Sequence, residues 1–296
     1  MLDLWLFFSV TGFLFAVLIV VSAYAVSSMV VRPKSLRKPV SVFPDQFNLV
    51  HENITFRTAD GIKIVGWFIP APEWSDKTII VLAGRGQNRG EILSFTWFLH
   101  KHGFNLMYFD FRGMGDSGGA ESSVGYLELR DFDAAIEFLK RNKEEEAKNI
   151  GVYGLSMGGA VALYQTANRP EIKCVAAEAA FESFNNVAAR WAWTNRKIPN
   201  FPIVRLGLMM VRLRLGVDPE PFSPIYHIAK ISPRPVLFIV GSHDPIVPVK
   251  DAQQMFNAAR NPKEMWITHG ASHAKCAEVG GEEYKNRLSE FFTKNL

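Results

Sequence analysis

The sequence predicts an α/β protein: a mostly parallel central sheet with helices on both faces, a helical cap, and one membrane-crossing helix ahead of them. Three observations carry this expectation. From about residue 50 onward, short apolar segments without polar alternation are separated by helix-length segments, the pattern of strands buried on both faces. Residues 4–31 contain no charged side chain. Residues 182–230 interrupt the alternation over a length too great for a plain connection and read as a helical insertion. Composition agrees, because 296 residues with 48% hydrophobic and 21% charged side chains can bury one large core and are too apolar for disorder. Two cysteines, Cys174 and Cys276, exclude a disulfide scaffold and a four-thiolate zinc site.

Taken in order, the charge-free run at 4–31 exceeds the roughly 20 residues needed to cross the hydrocarbon core of a bilayer. Trp5 and Tyr24 suit its two interfaces. Ala23-Tyr24-Ala25 resembles a signal-peptide cleavage site, so export after cleavage is the alternative; against it, Asp3 precedes the run and no Lys or Arg does. Arg32, Lys34, Arg37 and Lys38 follow it, which places the rest of the chain on the cytoplasmic side by the positive-inside rule. The expected organisation is an anchor over 1–31, a basic, proline-bearing linker over 32–45, and a catalytic domain over 46–296 that carries the insertion. Residues 51–57 and 62–69 read as an antiparallel pair joined at Asp60-Gly61. Strands are then expected over 78–82, 105–109, 150–153, 173–177, 236–240 and 264–268. Between and after them, helices are expected over 90–102, 124–141, 157–168, 249–260 and 281–294.

The strongest chemical signal is Gly154-Leu155-Ser156-Met157-Gly158, which follows a strand and opens a helix. In that setting G-x-S-x-G is a nucleophile elbow, a turn so tight that side chains at its glycines would collide with the neighbouring backbone. It lifts the Ser156 hydroxyl above the sheet and aims the Met157 N–H at the place where an oxyanion would form. A serine nucleophile needs a base, and the base an orienting acid. Asp244 and His273 follow in that order, each just past a strand end, where ligands collect in open α/β sheets. His269, directly at its strand end, is a weaker rival for the base and reads as structural.

These residues are similar to the α/β-hydrolase superfamily, in particular its serine-aminopeptidase-like and membrane-anchored branch, over about residues 50–295. Asp110-Phe111-Arg112-Gly113-Met114-Gly115-Asp116-Ser117 matches the family's D-x-R-G-x-G-x-S loop. The elbow, the acid turn ending in Pro248, and the His273 loop followed by Tyr284 and Phe291-Phe292 match as well. The resemblance implies that Ser156 attacks an acyl carbonyl, His273 takes its proton and Asp244 fixes the imidazole. It implies backbone oxyanion donors at Arg85 and Met157. The family's oxyanion loop usually begins His-Gly, whereas here it reads Leu82-Ala83-Gly84-Arg85-Gly86 and lacks that histidine's support.

Other patterns are weighed and set aside. Gly113-Met114-Gly115-Asp116-Ser117-Gly118 is formally G-x-G-x-x-G, but it lacks the immediate helix and the acidic strand end of a dinucleotide site. His100/His102 and His269/His273 have ligand-like spacing without a carboxylate partner, so no metal and no cofactor is expected. Net charge is +4, with +3 in residues 1–40, +5 in 182–216 and −4 in the remainder. That distribution suggests a membrane surface and no nucleic acid as a partner. In the insertion, Trp191, Trp193, Phe201, Arg205 and Arg212 are candidates for contact with substrate or bilayer; a lid helix packed on the core is the plainer reading. The expected function is hydrolysis of an ester or thioester with an apolar, lipid-like acyl part. The alternatives are a peptidase, disfavoured because Glu182 is the sole acid in 182–216, and a tethered binding protein on an inactive fold. Oligomeric state is not legible.

Overall fold

The computed structural model describes residues 2–31 and 37–296, so Arg32 and Lys34 of the expected positive flank, and the first part of the expected linker, lie outside the described residues. A single eight-stranded sheet runs through the molecule in the order β1 (Glu52–Arg57), β2 (Lys63–Ile69), β4 (Asn105–Phe109), β3 (Lys77–Leu82), β5 (Asn149–Leu155), β6 (Ile172–Glu178), β7 (Val236–Gly241), β8 (Lys263–Thr268). β2 is antiparallel to both β1 and β4, and every other pairing is parallel. The sheet is covered on both faces, which is why its central strands lack polar positions. In β3, Ile80 and Leu82 join the core under α3 (Glu128–Asn142), α4 (Met157–Asn168) and α7 (Val249–Ala258). Ile79 and Val81 join the opposite core, under α2 (Arg89–Thr96) and α8 (Cys276–Asn295).

Several expected helices change at their ends for local reasons. The helix expected over 90–102 is α2 followed by a 3-10 helix, Trp97–His102. The Thr96 hydroxyl bonds back to the Ile92 carbonyl at 2.7 Å, and Gly103 closes the segment in the left-handed region. The helix expected from 124 starts only at Glu128, because Val124 has φ +58° and the Glu128 carboxylate is spent on the N–H groups of Ser123 and Gly125. The last helix begins earlier than expected, at Cys276, and bends at Gly281.

Between β6 and β7 the chain forms α5 (Phe184–Arg196), a π-helical turn (Asn200–Val204), α6 (Arg205–Leu215) and three short 3-10 turns. This insertion has a small core of its own, built from Phe184, Ala192, Val204, Leu208 and Val211 together with Val30 and Val31. Those last two belong to α1 (Leu2–Val31), a 30-residue helix about 45 Å long at 1.5 Å per residue. Within its stretch Trp5–Val31 the mean hydropathy reaches 2.5, and the stretch is long and apolar enough to span a membrane. Its final turns lie in the protein: Ala23, Val26, Ser27, Val30 and Val31 are all buried. The described part of the expected linker is also docked. The Arg37 guanidinium donates to the carbonyls of Ser117 and Gly119, and Asn88 Nδ2 donates to the Pro39 carbonyl at 3.2 Å.

Candidate active site

The elbow occurs where β5 passes into α4. Ser156 has φ +53° and ψ −114°, a conformation that a non-glycine residue holds only when its surroundings impose it. The flanking glycines show how. A Cβ on Gly154 would lie 2.3 Å from the Gly158 carbonyl oxygen, and one on Gly158 would lie 2.5 Å from that of Leu82. No other residue fits either position. The Ser156 N–H donates to the Glu178 carbonyl at 2.8 Å, tying the turn to β6.

Three loops at the same edge of the sheet bring the expected residues together. Ser156 Oγ lies 3.0 Å from His273 Nε2, and His273 Nδ1 lies 2.7 Å from Asp244 Oδ2. The other oxygen of Asp244 accepts the N–H groups of Ile246 and Val247, each at 2.8 Å, so the carboxylate is fixed by its own turn. The turns after β7 and β8 are packed against each other, with the His243 N–H donating to the Ala271 carbonyl and no room for a side chain at Gly241. With Nδ1–H donated to Asp244, Nε2 is the lone-pair nitrogen facing the serine hydroxyl. His269 sits in an exposed turn away from this chain of bonds. Cys276 is buried, and burial pushes its thiol well above the ordinary range, which suits no nucleophile.

The loop after β3 carries Arg85. It lacks a histidine, but Gln87 supports it instead: Gln87 Oε1 accepts the Gly84 N–H at 3.0 Å and its own N–H returns to the Gly84 carbonyl at 3.1 Å. Met157 is the first residue of α4, where the N–H has no intrahelical acceptor. The Arg85 guanidinium turns away from the sheet and donates to the carbonyls of Met29 and Val30, at the C-terminal end of α1. Cations are favoured there by about 0.3–1 kcal/mol, and more when partly buried. Burial lowers the Arg85 pKa to about 10, against a smaller opposite effect of Glu128.

A cavity of about 360 Å³ opens above Ser156 and His273. Met157 and Phe181 form its floor, Trp191 and Ile198 its cap side, and Val26, Met29 and Val30 of α1 a third side. Of the insertion residues singled out in the sequence, only Trp191 lines it. Trp193 and Phe201 are exposed (56% and 73%) and do not reach it. Arg205 is exposed near the Phe201 ring, and Arg212 pairs with Asp218 at 3.1 Å. The sequence reading missed Gln87 and the α1 residues. A signal for the latter existed: Ser22, Ala23, Ser27 and Ser28 are small residues clustered at one end of an otherwise bulky apolar run.

The D-x-R-G-x-G-x-S loop is structural. The Asp110 carboxylate pairs with the Arg89 guanidinium and accepts the N–H groups of Arg89 and Asp116, while Ser117 Oγ donates to the Asp110 carbonyl at 2.7 Å. A Cβ on Gly115 would fall on that carboxylate. Arg112 is buried between Asp131 and Asp60. Beneath the elbow, Glu178 accepts the hydroxyls of Tyr153 and Tyr284 at 2.7 and 3.0 Å, and burial raises its carboxyl pKa.

Comparison with known proteins agrees with this architecture. The family model described as serine aminopeptidase, S33, matches residues 74–215. The Pyrococcus furiosus esterase Pf2001 superposes with a TM-score of 0.74 at 30% identity, covering 87% of this chain and 98% of that one. The α/β-hydrolase domain-containing protein WAV2 of Arabidopsis thaliana is 29% identical over 273 residues, 88% of this chain and 84% of its own length. YqkD of Bacillus subtilis, an uncharacterized protein, is 29% identical over 236 residues, 79% of this chain and 76% of its own length. With its strand order, its elbow after β5 and these relatives, the chain belongs to the α/β-hydrolase superfamily.

Proposed function

We propose that the protein is a membrane-anchored serine hydrolase that cleaves a carboxylic ester or thioester with an apolar acyl group. The observation that carries this reading is the hydrogen-bonded series Ser156–His273–Asp244, whose first two members line a largely apolar cavity. As Ser156 Oγ attacks the acyl carbon, His273 Nε2 takes its proton, and Asp244 stabilises the imidazolium. The carbonyl oxygen becomes an oxyanion that faces the N–H groups of Met157 and Arg85. One such donor is worth about 10²–10³ in kcat elsewhere, so the position of the Arg85 loop matters alongside the triad. The tetrahedral intermediate expels the alcohol or thiol, which takes the proton from His273, and leaves the acyl group on Ser156. Water, deprotonated by His273, then attacks the acyl-enzyme and restores the serine.

Similarity to a solved esterase supports an ester over a peptide. So does Glu182, the one acid in the first part of the cap, which is buried, bonded to Asn186 at 2.8 Å and absent from the cavity wall. A peptide's α-amine would lack a counter-charge there. The membrane reading is supported by the exposed apolar length of α1 and by exposed Trp193, Phe201, Met209 and Leu213 on the neighbouring cap. The test is labelling of the full chain in membranes by a fluorophosphonate, followed by turnover of esters of increasing acyl length. Wild type is expected to label and to hydrolyse esters, and Ser156→Ala to do neither. Absence of labelling in wild type, or turnover of aminoacyl peptides with no ester turnover, would overturn the proposal.

A further inference from the structure

The end of α1 is held too firmly, and by too many elements, to be only a tether. Gly207 of α6 lies directly against it: a Cβ there would fall 2.9 Å from Val26 Cγ1 and 3.0 Å from the Ala23 carbonyl oxygen. Such close approach through small residues is how apolar helices pack without a hydrophobic driving force between them. Arg214 of α6 donates to the hydroxyls of Ser27 and Ser28, both at 3.0 Å. The Ser122 N–H donates to the Val31 carbonyl at 3.1 Å, and Arg85 holds the carbonyls of Met29 and Val30. Cap, oxyanion loop and the loop ahead of α3 thus all grip the same three turns. The side chains left facing inward are those of Val26, Met29 and Val30, and they line the cavity that holds Ser156 and His273.

We propose that the last turns of α1 form the acyl-binding wall of the active site, so that the apolar N-terminal helix selects which acyl chains are hydrolysed. This rests on the serine-hydrolase reading above. The wall begins within one turn of Tyr24, where the exposed part of α1 ends. A lipid acyl chain lying along the exposed face of α1 reaches Val26 by sliding along the helix, without crossing water. The leaving group then stays at the polar end of the cavity, beside His273. Arg85 adds a consequence: its side chain holds the wall and its backbone holds the oxyanion, so the acyl chain and the carbonyl are positioned from one residue.

The test uses the full chain in lipid–detergent micelles and p-nitrophenyl esters from acetyl to dodecanoyl. Met29→Trp fills the cavity and is expected to lower the ratio of kcat/KM for dodecanoyl over acetyl ester about tenfold, since small apolar changes in a binding pocket are worth factors of this size. Met29→Ala enlarges the cavity and is expected to move the preferred length upward. Val50→Trp, exposed ahead of β1 and off α1, is the control and should keep the wild-type profile. An active wild type whose length profile is the same in Met29→Trp and Met29→Ala would overturn the wall while leaving the hydrolase reading intact. A wild type that hydrolyses no ester and binds no fluorophosphonate would overturn the hydrolase reading, and the wall with it.

Discussion

The two parts of α1 are chemically alike and structurally opposite. Trp5, Phe8, Phe13, Leu18 and Val21 leave more than half of their surface exposed, and a glycine among them, Gly12, has nothing within 4 Å of where a Cβ would stand. Ala23, Ser27 and Val31, within the next three turns, are at most 1% exposed and packed on α6. The exposed part, about 20 residues from Trp5 to Tyr24, spans about 30 Å, the thickness of a hydrocarbon core. The buried part uses smaller side chains, Ala23, Ser27 and Ser28 among them, to approach α6. Bulk and burial are inverted relative to a soluble core helix, where the largest side chains face inward. One helix thus meets two surroundings: the large side chains of its first part stand exposed, and the small ones of its end let protein come close.

That contrast can be broken by moving the same substitution from one part to the other. Gly207→Leu pushes against Val26 and Ala23, and overpacking of this kind costs about 1–3 kcal/mol. It is expected to lower ester turnover by more than tenfold through displacement of the wall, with a lower Tm in detergent. Gly12→Leu, in the exposed part, should change neither quantity in the same preparation. Equal effects of the two, by turnover and thermal unfolding, would contradict the division. Next in size is Arg85→Ala, which removes the guanidinium from the Met29 and Val30 carbonyls and loosens the loop that carries its own N–H. The expected result is a fall of about tenfold in kcat with a smaller change in KM, because the oxyanion forms only in the transition state. Arg85→Lys should recover part of it. A change confined to KM would assign Arg85 to substrate binding alone. The smallest effect is expected for Arg214→Ala, which loses two neutral-acceptor hydrogen bonds to Ser27 and Ser28. Stability should fall by about 1 kcal/mol, with turnover of acetyl ester reduced less than that of dodecanoyl ester. A Tm unchanged from wild type would remove Arg214 from the clamp.

Much of the sheet and of the candidate site is legible from spacing. The elbow needs Gly154 and Gly158 within a single turn, and the backbone around both leaves no room for a Cβ. Asp244 and His273 are recognisable because each follows a strand, and strand ends gather at one edge of a parallel sheet. Less was legible where side chains override periodicity. Thr96 ends a helix that its pattern continues, and the Glu128 carboxylate delays one by bonding the loop before it. The loop after β3 lacks a histidine, and Gln87 supports it through a bond to Gly84 that no motif marks.

By itself the sequence determined what depends on neighbours along the chain: the alternation of strands and helices, the tight elbow, the order of serine, acid and histidine, and a helix with the length and apolarity of a membrane span. Only the tertiary structure decided where that helix ends in space. Val26 meets Gly207, Met29 and Val30 meet Arg85, Val31 meets Ser122, and Ser27 and Ser28 meet Arg214, each from more than 50 residues away, through packing and hydrogen bonds that leave no local period. Hydropathy records how apolar a helix is. It does not record whether lipid or protein lies against each of its turns.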